Sequence, residues 1–317
     1  MVGFLAGAAP DLDFVVALAG PVAYLEQHRG ITHSLLLLPA WALLLAVAFS
    51  LLRRRRYSWR AYYGVCCLAI GIHIVGDLIT SYGTRILAPF SDWSPGLNTT
   101  FIIDPYLSAI LVVGLLASLR WYPRALATIT LIAATALVAY QGNQYREALD
   151  VARGHVAAAE LDAERVEAYP QPFSVWNWKL AITAGERHHL ATVNLRRHSP
   201  PAQVPEDAPW WRRILASYRP ADRPQWQVLR QFGRGHEDVL ARDVWSNERF
   251  AFFRRFAHLP AVREVVDHDE HGTCVWFQDL RFRLEGLTSP FIYGMCRRPV
   301  DTDWTLHVLE RGGPRAL

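Results

Sequence analysis

Charge is placed very unevenly along this chain, and that placement restricts its fold more than any other feature. Of 29 acids and 33 bases in 317 residues, only six acids (Asp11, Asp13, Glu26, Asp77, Asp92 and Asp104) and nine arginines fall within residues 1–142. The mean hydropathy of +0.07 is therefore an average over two unlike halves. This pattern excludes a uniform globular protein, a disordered chain and a disulfide-rich secreted scaffold, and it predicts a membrane domain followed by a soluble one. The net charge is only +4, and the one dense basic run, Arg53 to Arg56, is flanked by apolar segments. That run reads as a juxtamembrane anchor, so a lipid bilayer is the expected partner and nucleic acid is not.

A spanning helix needs about 20 mostly apolar residues. Ile31 to Leu52, Ala61 to Tyr82, Pro105 to Leu119 (extending back to Ile102) and Ala125 to Gln141 approach that length. Met1 to Ala9 is apolar but short, and reads as the tail of a helix that ends at Pro10. The expected architecture is an all-α polytopic membrane domain over residues 1–142, with about four full transmembrane helices plus a truncated N-terminal helix. A soluble α+β domain over residues 143–317 follows it. Lys and Arg near span ends favour the cytoplasm, which puts Arg53 to Arg56 and Arg60 inside and, by alternation, the soluble domain outside.

Within the soluble half, Tyr145 to Val166 has helical character and Asn247 to His258 reads as a short aromatic helix, while Pro200 to Pro209 is a Pro-rich loop. Thr273 to Asp279, Arg281 to Glu285, Phe291 to Cys296 and Trp304 to Leu309 are β-branched or aromatic runs, expected as antiparallel strands. Cys66 and Cys67 lie in an apolar span and read as buried small hydrophobes. Cys274 and Cys296 are free to pair if their domain is extracytoplasmic.

A charged group at the centre of a span costs about 2.5–3.5 kcal/mol even on a lenient scale, so each one needs a reason. His73 and Asp77 are such a case: at i and i+4 they share one helical face, suited either to an internal hydrogen bond or to metal ligation. The topology gathers the other polar residues on the same outer side. Asp11 and Asp13 follow the first apolar stub, His28 and His33 open the next segment, and Asp104 starts a later one. Imidazole with carboxylate is the usual donor set for zinc or a related divalent ion. Singly, Asp11 also suits a turn after Pro10, and Asp104 a helix start before Pro105. His188 with His189, and His268 with Asp269 and His271, lie in polar stretches and read as solvated surface.

The segments Ala9 to Phe14 (APDLDF), His28 to Leu35 (HRGITHSL), His73 to Trp93 (HIVGDLITSYGTRILAPFSDW) and Phe101 to Tyr106 (FIIDPY) together resemble the YdjM family of predicted membrane-bound metal-dependent hydrolases. The resemblance covers roughly the first 140 residues. It implies a multi-pass protein of the bacterial inner membrane with a His/Asp metal site. The implied ligands are Asp11, Asp13, His28, His33, His73 and Asp77, with Arg29, Thr32, Asp104 and the Pro89 to Asp92 turn nearby. Members generally begin with a further helix carrying a Thr-His pair, so the start of this chain reads as truncated by one span and one histidine.

The expected chemistry is metal-assisted hydrolysis at the outer membrane–water boundary, with zinc as the ion. Asp11 or Asp13 completes a second metal site or acts as general base, and Arg29 neutralises an anionic substrate. The His-x-x-x-Asp helix is similar to that of zinc phospholipase C, which points to a small-molecule or lipid-linked phosphoester. Two alternatives belong to other classes: an ion or proton relay in a transporter, and a metal-stabilised membrane scaffold.

Overall fold

The computed structural model describes residues 1–54, 56–201, 204–205, 207–285, 287–310 and 313–317. Arg55 of the basic run, and Ala202, Gln203 and Glu206 of the Pro-rich loop, lie outside the described residues. Met1–Leu97 form one compact unit and Asn98–Ala316 a second.

The first unit is helical. α1 (Val2–Ala8) passes at a 41° bend into a 3-10 segment, Pro10–Ala19. Next come α2 (Pro21–Gln27) and a short 3-10 turn, Ile31–His33, which meets α3 (Leu38–Leu52) at 80°. α4 (Trp59–Leu78) follows as one uninterrupted helix of 20 residues. Ile31 to Leu52, expected as one span, is thus broken at residues 34–37, and Pro39 begins its helical part. Proline suits a first turn, where its missing N–H costs nothing. Small residues allow the close packing: Ala6, Ala42, Ala46 and Cys66 are fully buried against Ile70 and Ile74.

The second unit begins with two antiparallel apolar helices, α5 (Pro105–Arg120) and α6 (Pro123–Ala158). Asp104 caps α5 by accepting from Leu107 N at 2.7 Å, which is the helix-start role. Its other oxygen accepts from Gln141 Nε2 at 2.8 Å. α6 runs without interruption through the point where composition changes, so the fourth expected span and the helix predicted after it are one element. Its far half, through Ala148, Leu149 and Ala152, packs on Trp178, Leu180 and Val193 of the first sheet.

That sheet contains β1 (Arg165–Pro170), β2 (Asn177–Ala184) and β3 (Arg187–Asn194) in antiparallel order. After α7 (Trp210–Ser217), β4 (Arg219–Pro220) pairs parallel to β3, and β5 (Gln227–Arg230) pairs antiparallel to it. α8 (His236–Ser246) and α9 (Ala251–Phe256) lead into a second sheet, an antiparallel meander. Its strands are β6 (Pro260–His268), β7 (Gly272–Asp279), β8 (Ile292–Arg297), β9 (Thr305–Glu310) and β10 (Gly313–Ala316). Cys274 and Cys296 face each other in the β7–β8 register and are disulfide-bonded.

Among the described residues, two helices, α4 and α6, are long and apolar enough to cross a membrane, and the count rises to four if each bent pair is one span. α5, at 16 residues, is shorter than that. The fold is therefore a helical N-terminal region with two to four candidate spans, followed by a domain rich in β-sheet.

Two expectations for the soluble half are corrected. Arg281 to Glu285 is not a strand. A 3-10 turn at Leu280–Phe282 ends β7, because Asp279 turns back to pair with Arg281 at 2.8 Å and accepts from Arg281 N. Nor is His188 at the surface: it is 1% exposed, with Thr183 Oγ1 3.2 Å from Nδ1 and the Pro260 carbonyl 2.9 Å from Nε2.

Burial and the adjacent Arg281 guanidinium push the His258 imidazole down to about 4. Burial alone would raise the Asp279 carboxyl, but Arg281 more than offsets it and the net shift is downward. Both groups act in one direction. Between pH 6.5 and about 4 the unfolded chain takes up a proton at His258 that the folded domain does not, so stability falls with pH. The folded-state depression corresponds to roughly 3 kcal/mol at that group. Thermal unfolding of the detergent-solubilised protein should therefore shift down through this window, and H258Q should flatten the dependence above pH 4.

Candidate metal centre

Three stretches of the first unit build one polar cluster. The first turn of the Pro10–Ala19 segment supplies Asp11 and Asp13, the connection after α2 supplies His28 to His33, and the end of α4 supplies His73 and Asp77. Pro10 redirects the chain where α1 ends, which exposes Asp11 and turns Asp13 inward.

At the centre, His33 Nε2 and His73 Nε2 are 3.1 Å apart. Asp11 Oδ1 lies 3.5 Å from the first and 3.4 Å from the second. Asp77 Oδ2 lies 3.1 Å from His33 Nε2 and 3.6 Å from His73 Nε2. Asp11, His33 and His73 each offer a donor atom, all within 4.8 Å of one another. An ion in tetrahedral coordination with bonds of about 2.0–2.1 Å sets its donors about 3.3–3.4 Å apart, which the five separations above bracket. Asp77 Oδ2 is also buried with no hydrogen bond among the described residues. A buried carboxylate oxygen beside two imidazoles, yet outside hydrogen-bonding geometry, fits an ion as its partner. The donor chemistry and spacing thus suit a divalent metal.

A second layer holds these side chains in place. Asp13 uses both oxygens: Oδ1 is 2.9 Å from His28 Nδ1, while Oδ2 accepts from Arg29 N and from Thr32 Oγ1, each at 3.0 Å. Thr32 Oγ1 is in turn 2.9 Å from His33 Nδ1, and Asp13 Oδ2 is 3.4 Å from that nitrogen. Asp13 and Thr32 therefore occupy one ring nitrogen of His33 and leave the other facing the cluster, the usual arrangement behind a ligating histidine. The Arg29 guanidinium is 2.9 Å from Asp77 Oδ1 and donates to Thr80 Oγ1 at 2.9 Å. It neutralises Asp77 from behind and lies over the Tyr82 ring.

Of the residues singled out in the sequence, Asp11, His33, His73 and Asp77 converge directly, while Asp13, His28 and Arg29 stand one step behind them. Asp104 belongs to the second unit as a helix cap. Sequence reading did not single out Ser34 or Arg85. Arg85 N donates to Arg29 O at 3.0 Å, Leu35 N to Ile86 O at 2.9 Å, and Ser34 Oγ to Ala88 O at 2.6 Å. The strand-like segment after α4 thereby straps the His28–Leu35 connection in place. A signal for Arg85 was present: it is the one base between Ser81 and Thr100.

Residues 1–148, a little under half of the chain, match the family model of the YdjM inner membrane protein. The family's name indicates an inner membrane protein, and the apolar helices fit insertion there. The matched region contains every residue of the cluster. The chain is also similar to the uncharacterized protein YfhP of Bacillus subtilis (strain 168), at 33% identity over 125 residues. That match covers 38% of this chain and 36% of the relative, so the chain spans little more than a third of the curated relative's length. No solved structure matches the chain.

The connection is conformationally demanding. Arg29 adopts φ of 54°, in the left-handed region that L residues rarely occupy. That turn lets its N–H reach Asp13 while its guanidinium reaches Asp77. At Gly30, a Cβ would lie 2.7 Å from Gln27 O and 2.6 Å from Arg85 Nη2. G30A should therefore push the connection outward, at a cost of about 1–3 kcal/mol. A lowered unfolding temperature in detergent, relative to G64A, where a Cβ meets open space, checks this.

Proposed function

We propose that this protein is a membrane-bound metal-dependent hydrolase whose ion is zinc, held by Asp11, His33, His73 and Asp77. The supporting observation is the convergence of two imidazole nitrogens and two carboxylate oxygens at 3.1–3.6 Å, with Asp77 Oδ2 left without a hydrogen bond. A zinc ion bound there supplies Lewis acidity and a water acidified toward neutral pH.

The chain's own residues do the rest. Asp13 and Thr32 hold the His33 ring so that Nε2 stays available. Arg29, 2.9 Å from Asp77 Oδ1, holds that carboxylate from behind and leaves Oδ2 toward the imidazoles. Asp11 differs from the others because its side chain is 57% exposed, whereas that of His33 is fully buried. The cluster is therefore approachable on the Asp11 side, as a catalytic site requires and a closed structural site does not. The substrate is a phosphoester or a lipid-linked molecule, and Arg29, committed to Asp77, acts by positioning rather than by meeting it.

A second reading, an ion or proton relay, rests on one specific contact: two imidazole nitrogens 3.1 Å apart can pass a proton between them. Stoichiometric zinc in the purified protein, measured by elemental analysis, together with hydrolysis of model phosphoesters supports the first reading. D77A should lose the metal and at least 100-fold in turnover, in line with the size of metal-site effects on water activation. Retained stoichiometric metal in D77A overturns the assignment, and proton flux in proteoliposomes without hydrolysis favours the relay.

The C-terminal domain is proposed to be extracytoplasmic. The Cys274–Cys296 disulfide supports this, since such bonds persist in oxidising compartments and the free thiols Cys66 and Cys67 lie in α4. Denatured, unreduced membranes should label with maleimide at Cys66 and Cys67 alone, and at Cys274 and Cys296 as well after reduction. Labelling at all four before reduction contradicts the placement.

A further inference from the structure

The bends in the first unit leave a gap beside the cluster. Where Pro10–Ala19 leaves α1 at 41° and α3 leaves the Ile31–His33 turn at 80°, the two bent segments cannot pack side by side along their length. Between them lies a cavity of about 410 Å³, walled by Leu12, Val16, Trp41, Leu45 and Ile70. This falls within the roughly 300–1,000 Å³ typical of small-molecule sites. Its lining also includes the polar residues Gln27, Asp13 and Thr32. The last two are the residues that hold His33 Nδ1. A largely apolar slot thus comes within one residue of the donor cluster.

We infer that this slot is the tail-binding subsite of the same centre, and that the substrate is a bilayer lipid ester with one hydrocarbon tail along Leu12, Val16, Trp41 and Leu45. This rests on the hydrolase reading above. Three features favour that occupant over others. The slot lies among helices apolar enough for a membrane, where the molecules that reach it are lipids. Its walls are mostly aliphatic and aromatic, and two of its polar members, Asp13 and Thr32, contact the metal donor His33, which matches an amphiphile with its ester on that side. The wall is also preformed, since Trp41 Nε1 donates to the Ile31 carbonyl at 3.0 Å and fixes the indole at the slot's edge.

The test uses the full-length protein in nanodiscs with 4-nitrophenyl alkyl phosphodiesters whose alkyl chain runs from methyl to dodecyl. Each methylene that enters the slot should raise kcat/KM about fourfold until the slot is full. V16W, which fills the slot, should abolish this dependence, so that long and short alkyl esters turn over alike. L44W, on the α3 wall, provides the same test should V16W fail to fold. An equal rise in wild type and both variants means that the chain only partitions into the bilayer, and overturns the inference. A diazirine-tailed dodecyl phosphate probe gives a readout that needs no turnover. Crosslinks within Leu12–Val16 and Trp41–Leu45, lost in V16W, support the slot even where no ester is cleaved, in which case the hydrolase reading fails and the tail site stands. Crosslinks scattered over the outer faces of α3 and α4, or a bound second copy of the chain in the slot, overturn it.

Discussion

The first unit depends on one constraint: ionisable groups set among apolar helices must find partners within the protein. An unpaired carboxylate or guanidinium at such depth costs about 2.5–3.5 kcal/mol or more. Asp13 meets this with His28, the Arg29 amide and Thr32, and Asp77 meets it with Arg29 and the two imidazoles. Satisfying both acids at once forces the short path between His28 and His33, and from that follow the left-handed Arg29, the crowded Gly30 and the strap of residues 85–88. The last of these supplies carbonyls and an amide to a connection that has no helix or sheet of its own. The same network gathers four donor atoms at separations of 3.1–3.6 Å. A structural requirement and a chemical opportunity coincide at this point.

The second unit solves its own version of the problem. Asp279 and Arg281 pair in the core, and Lys179 donates to the carbonyls of Leu280, Arg281 and Arg283. Burial pushes the Lys179 ammonium down to about 7, and three acceptors compensate it. These polar contacts fix the turn after β7. Apolar packing around Trp178 and Trp276 supplies the bulk of the cohesion.

How much of this was legible in the sequence varied with how local the signal was. The apolar runs of α3 to α6 show directly, because uncharged length is a one-dimensional property, and so do β7, β8 and β9 with their β-branched and aromatic residues. The His73–Asp77 pair was readable from helical spacing alone. By contrast β2 and β3 were not read as strands, since Lys179, His188 and His189 break the apolar alternation, and only distant partners such as the Pro260 carbonyl make burial of the first two affordable. The expected strand at Arg281 failed for a related reason, as a buried ion pair outweighed β propensity. Gly142 marks the change in composition, yet α6 continues through it, because backbone hydrogen bonding in a helix is indifferent to whether lipid or protein covers its face.

By itself, the sequence determined that the chain has an apolar, helical N-terminal part and a polar C-terminal part, and that the rare acids and histidines of the first belong together. Composition and spacing suffice for that. Only the tertiary structure decided their ranking: Asp11, His33, His73 and Asp77 meet, while Asp13, His28 and Arg29 stand behind them. It also decided that Cys274 and Cys296 are bonded partners and that a cavity opens beside His33. These outcomes depend on helix bends and, in the cluster, on contacts between residues as much as 62 positions apart, such as Asp11 and His73. Linear spacing carries no record of them, because the bends arise from where each buried charge finds its partner.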